Sequence, residues 1–147
     1  MSEDPHPSTV EDDDPHLVRV REICLALPGA SEKRSHGSPT FFTRKVFATF
    51  GGSLKGDHYS PVARQALLFL PDTSEREALI GDERFFVPAY VGPSGWLGLS
   101  FHSMGVDEVD WLEVGELIEM SYRLTAPAPL VREVDGRAGG AQAVSRQ

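Results

Sequence analysis

The residues through which this chain could ligate a metal or attack a carbonyl are few, and none is spaced for the task. His6, His16, His36, His58 and His102 stand singly, away from the spacing of common metal motifs. Asp57-His58 is the nearest approach to a ligand pair, and in a glycine-rich loop it reads as solvated. Cys24 falls on the apolar stripe of a helix, where a thiol is buried and inert. Ser94, in GPSGW, lacks the G-x-S-x-G spacing of a nucleophile elbow. GGSLKG, over residues 51–56, would offer backbone N–H groups and the Lys55 charge to a phosphate. Its order departs from the phosphate-binding G-x-x-x-x-G-K-[ST] pattern, so it reads as a hairpin loop. Asp107, Asp110, Glu113 and Glu116 recur every three residues along a helix, where acids favour the macrodipole and face water. No catalytic residue, metal ligand or cofactor is assigned, and the chain reads as non-enzymatic.

Binding is the better-supported chemistry. Lys33, Arg34, Arg44, Lys45, Lys55 and Arg64 are interleaved with Phe41, Phe42 and Tyr59. Long cations gathered by turns between strands contact phosphates, and aromatic rings stack on bases, so this set is the candidate nucleic-acid surface. Tyr90 and Trp96 flank the turn Gly92-Pro93-Ser94-Gly95; with His102 they form the alternative, a pocket for a small molecule.

The elements that must position these residues follow from periodicity. Asp14-Pro15 supplies an N-cap and a first-turn proline for a helix with Leu17, Val20, Cys24 and Leu27 on one face, stopped by Pro28-Gly29. Two short strands, TFFT and KVFATF, turn around Arg44-Lys45, and residues 66–70 form a buried third. Asp72 or Ser74 caps a short helix ending at Gly81; residues 85–87 and 96–101 are further strands. Asp107 is expected to cap the last helix, whose stripe is Trp111, Val114, Leu117, Ile118 and Tyr122. The order is α-β-β-β-α-β-β-α, an α+β fold with a twisted antiparallel sheet of about five strands and helices packed on one face. Residues 15–129 form one domain, between a disordered acidic tail at 1–14 and a flexible tail at 130–147.

Charge is unevenly spread. The chain has 147 residues and a formal charge of −8, but residues 1–14 hold six acids and no Lys or Arg, so the rest carries only −2. Residues 32–64 sum to +4 and residues 72–119 to −9, a positive surface and an acidic helix on one domain. The acidic tail would screen the positive surface. One cysteine excludes an intramolecular disulfide, and without an apolar span a membrane role is not expected and a cytoplasmic location follows. Oligomeric state is not legible.

The runs ICLALPGASEKRSHGSPTFFTRKVFATF, FFVPAYVGPSGWLGLSF and DWLEVGELIEMSYRLTAP resemble, over about residues 17–129, the MmcQ/YjbR family of small bacterial proteins with a fold like that of the bacterial frataxin CyaY. The matching positions are Leu27-Pro28, Gly37 to Pro39, Lys45, Trp96 and Ser121-Tyr122-Arg123. The resemblance implies helices on a twisted antiparallel sheet and a DNA-binding label; the basic set read beside it leads to the expectation of weak, sequence-nonspecific DNA binding. Members often carry basic residues where this chain has Phe69-Leu70 and Leu99-Ser100. The frataxin likeness raises iron binding by an acidic helix, but here the acids crowd the last helix rather than the first.

Overall fold

The computed structural model describes residues 10–57 and 60–145. His6, His58 and Tyr59 lie outside them. Helix α1 (Pro15–Leu25) opens as expected: the Asp14 carboxylate accepts from the N–H groups of His16 and Leu17. Three strands follow, β1 (Ser31–Ser35), β2 (Ser38–Phe42) and β3 (Val46–Phe50). After the single turn α2 (Pro61–Arg64) come β4 (Ala66–Phe69), α3 (Thr73–Ile80), β5 (Phe85–Phe86) and β6 (Leu97–Ser100). Two helices close the chain, α4 (Trp111–Thr125) and α5 (Ala128–Ser145). The six strands form one antiparallel sheet in the order β1-β2-β3-β4-β6-β5.

Four features differ from the sequence expectation, the first being the single turn α2, which no periodicity marked. The sixth strand is β1, whose residues SEKRS carry no apolar alternation; it is held by a two-residue turn, His36-Gly37, with both φ values positive. The stretch expected as a flexible tail after residue 129 is instead helical, as α5, with Val134 buried and Leu130 against Gly29. Asp110, not Asp107, caps α4, accepting from the Glu113 N–H, while Asp107 lies in a preceding 3₁₀ turn. In α3 the cap is Asp72, bonded to Ser74 N–H.

One face of the sheet holds the core. Cross-strand partners share a face, so Phe41, Ala48, Phe69 and Leu97 form one inner row and Phe50, Leu67, Leu99 and Phe85 the next. All are buried under α1 and α4. Phe47 would point the other way, but a bulge intervenes: Phe41 pairs with Ala48 and Phe42 with Val46, leaving Phe47 unpaired and turned to the core. There it meets Tyr122 edge-on at 5.3 Å. The next rung between β3 and β4, Phe47 to Leu70, is replaced by a side chain. Ser121 Oγ donates to the Phe47 carbonyl (2.6 Å) and accepts from Leu70 N–H (2.9 Å). Beside it Tyr122 OH donates to Pro28 carbonyl at 2.6 Å.

Ser121→Ala leaves a buried carbonyl and N–H without their partner. It is expected to cost about 2 kcal/mol, read as a lower urea midpoint with an unchanged slope.

Candidate nucleic-acid interface on the open sheet face

The opposite face of the sheet is left without a long helix. Its central row runs Lys33, Thr40, Thr49, Leu68, Gly98, Phe86 across the strands. Phe42 lies in the neighbouring row with Lys33 Nζ 5.0 Å from its ring centroid, a cation–π contact. At the far edge Phe86 lies flat over Gly98, where any Cβ would run into its ring. Two loops cross this face. Gly51 and Gly52 donate to the carbonyls of Ala66 and Ala63, and Gly52 rests on the Leu68 side chain. From there Ser53 carbonyl accepts from Ala89 N–H at 2.8 Å, tying the 51–57 loop to the 87–95 loop.

Between the two loops is an open cleft of about 670 Å³ lined by Lys55, Val87, Pro88, Ala89, Tyr90 and Pro93. Gly92 closes its base, so near Val87 that a Cβ would stand 2.6 Å from a Val87 methyl. Tyr90 stands at the rim, 76% exposed and at φ +70. For a bulky non-glycine residue that conformation costs about 1 kcal/mol, and here it turns a large ring outward to water.

The six cations proposed as a nucleic-acid surface are divided by this geometry. Lys33 is on the open face, Arg44 and Lys45 are exposed in the β2–β3 turn at one end of the sheet, and Lys55 is at the tip of the Leu54–Asp57 turn over it. Arg64 is exposed at the end of α2, toward the other end. These five have no carboxylate partner among the described residues. Arg34 points to the helix side, where it donates to Asp12 at 2.8 Å and to the Gly37 carbonyl. Asp12 also pairs with Arg21, which is bidentate to Glu32. The Arg34 and Arg21 guanidinium groups hold the Asp12 carboxyl below its usual range. Thus residues 10–14, expected as the end of a disordered tail, are bonded to the body through Asp12, Asp14 and the Val10 N–H, which donates to Gly37. Of the six cations, that segment neutralises Arg34.

The aromatic candidates are divided too. Tyr90 lines the cleft; Trp96, half-buried, precedes β6 and His102, exposed, follows it. The four residues of β6 and Phe101 lie between those two, and neither lines the cleft. Phe41 is core, and Phe42 is the ring presented beside Lys33. Cys24 is fully buried, which pushes its thiol well up. No group of three or more His, Cys, Asp or Glu among the described residues is placed to hold a metal. Of the four acids spaced three apart, two are engaged singly: Asp110 caps α4, and Glu113 takes Arg84 at 2.8 Å. No described helix is long and apolar enough to cross a membrane.

Carboxylates and their arginines are concentrated away from the open face. Arg84 bridges Asp82 (2.7 Å) and Glu113 (2.8 Å), and Arg123 bridges Glu119 (3.0 Å) and Asp135 (2.6 Å). Arg84 holds the Asp82 carboxyl down, and the two carboxylates raise the Arg84 pKa in turn. A carboxyl depressed on folding contributes stability above its unfolded value and loses it as pH falls through the folded one.

A family model described as YjbR matches residues 25–124, which span every strand, the cleft and nearly all of α4. No curated protein matches the chain. The crystal structure of Deinococcus radiodurans protein DR2400, with a DUF419 domain, is similar in fold: 19% identity, TM-score 0.53, covering 82% of this chain and 80% of that one.

The Arg84 bridge is testable by acid. Arg84→Met is expected to flatten the loss of urea midpoint between pH 6 and pH 3, because the Asp82 contribution vanishing over that window is already gone. An equal pH slope in both proteins would show that Asp82 gains nothing from Arg84.

Proposed function

The chain belongs to the YjbR family, and from that premise we propose that it is a non-enzymatic cytoplasmic protein that binds DNA weakly and without sequence preference through its open sheet face. The observation that carries this reading is the division of the cations. Most arginines on the helix side, among them Arg21, Arg84 and Arg123, are bonded to carboxylates, whereas Lys33, Arg44, Lys45 and Lys55, on or bordering the open face, have none among the described residues. Binding of such cations to a polyphosphate releases the counterions condensed on it, and that release is what drives the association. Phe42 and Tyr90 add rings to the same surface, on which only unpaired bases could stack. Base-edge readout needs donors and acceptors fixed in a groove-shaped element, and a sheet face with a few flexible lysines supplies contact without sequence.

Neutralising one phosphate-binding cation lowers the dependence of log K on log salt by about 0.9 on duplex DNA. The triple variant Arg44→Ala, Lys45→Ala, Lys55→Ala is therefore expected to lose most of the affinity for a labelled duplex in anisotropy titrations and to flatten the salt slope. Arg123→Ala, a charge removed on the helix side, is the control and should retain both. Full binding by the triple variant would sink the reading.

A small-molecule module is the second reading, and the cleft at Tyr90 and Lys55 is what favours it. A ligand there would raise the melting temperature by mass action. It would leave the fluorescence of Trp96 and Trp111 largely unmoved, since neither lines the cleft.

A further inference from the structure

We infer that the cleft between the 51–57 and 87–95 loops is a seat for one unpaired base of single-stranded DNA, so that the open face prefers a single strand to a duplex. The inference rests on the nucleic-acid reading and adds to it a subsite and a strand preference. Three features of the cleft converge on such an occupant. Its walls are small and apolar, from Pro88, Ala89, Gly92 and Pro93, which suits the flat apolar faces of a base. Tyr90 offers a large ring at the rim, held outward by a backbone conformation that bulky residues avoid. Lys55, exposed at the mouth, supplies a cation to the phosphate joined to that base. Its turn also contains Asp57, so the net attraction there is modest, and the remaining phosphates fall to Lys33, Arg44 and Lys45 on and beside the same face.

The volume of about 670 Å³ admits a nucleobase with its sugar. A paired base cannot enter. Its edges are bonded to the opposite strand and its faces to its neighbours, so unpairing and unstacking must come first. A single strand carries little of that cost, which is the source of the preference. Fixing the two loops to each other through the bond from Ala89 N–H to Ser53 keeps the cleft formed before any ligand arrives.

The test compares a labelled oligothymidylate containing one 2-aminopurine with a duplex of the same length, titrated at low salt into the wild type, Tyr90→Ala, Tyr90→Phe and the double variant Arg44→Ala, Lys45→Ala. Tyr90 is exposed, and an unchanged melting temperature verifies that each variant folds. The expected result is a loss of about ten-fold in single-strand affinity for Tyr90→Ala, recovery in Tyr90→Phe, no change in duplex affinity, and 2-aminopurine quenching that only the ring-bearing proteins produce. Undiminished single-strand binding by Tyr90→Ala, with binding abolished in the double variant, would overturn the base seat and leave the basic face standing. Binding of neither nucleic acid by the wild type would overturn both. Adenosine monophosphate binding as tightly as the oligomer would overturn the single strand as occupant and leave the small-molecule reading in its place.

Discussion

The Ser121 hydroxyl, lodged between β3 and β4, is the interaction on which the arrangement of this protein depends. The bulge at Phe47 turns an additional aromatic ring toward the core, and the backbone gap it opens must be closed by something that both donates and accepts. A hydroxyl does so at one atom. Because Ser121 belongs to α4, closing the gap also fixes that helix across the middle of the sheet. Its neighbour Tyr122 then packs on the bulged Phe47 and reaches the carbonyl of Pro28, just beyond α1. Two consecutive side chains thereby join the sheet, α4 and the segment just beyond α1. A long helix docked this way on one face leaves the other to loops.

That asymmetry distributes charge as well as packing. Helices meeting at α1, α4 and α5 bring carboxylates and arginines within reach of each other, and most of those arginines settle into pairs such as Arg123 with Asp135. The open face has strands and turns instead, whose short connections present Arg44, Lys45 and Lys55 to water with few acids near. Separation of the unpaired cations from the acids is thus a product of topology.

The elements whose periodicity is set by burial were legible in the sequence: α1 with its Asp14 cap, the β2–β3 pair, the apolar β4 and the stripe of α4. β1 was not, because an edge strand needs only backbone bonds on one side, and its residues Lys33 and Arg34 are the charges that such an edge tolerates. The run Ser121-Tyr122-Arg123 was visible as a pattern, while its reason, a gap in a ladder between distant strands, has no local signature. The basic set was visible as composition, but alternation along β1 sends Lys33 to one face and Arg34 to the other, so adjacency in sequence divided them in space. Tyr90 and Lys55 were visible only as separate features. Their meeting depends on the bond between Ser53 and Ala89, which spacing alone does not reveal.

A net charge of −8 repels a polyanion at long range. What a phosphate meets on contact, however, is the potential within about one Debye length, roughly 8 Å at physiological ionic strength. The acids of α4 lie beyond the sheet, across a helical layer roughly 10 Å thick, and Glu113 and Glu119 are bonded to Arg84 and Arg123. At that range they are largely screened from a ligand on the open face, whose near field is set by Lys33, Arg44, Lys45 and Lys55 against Asp57. Lowering the salt has two opposed effects: it strengthens the attraction of those cations and lets the distant acids be felt. On the nucleic-acid proposal, a few cations facing the strand with an acidic body behind them would give an affinity that is low at physiological salt and rises less steeply at low salt than the count of cations alone would give. The proposed weak binding without sequence preference would be consistent with such a charge distribution.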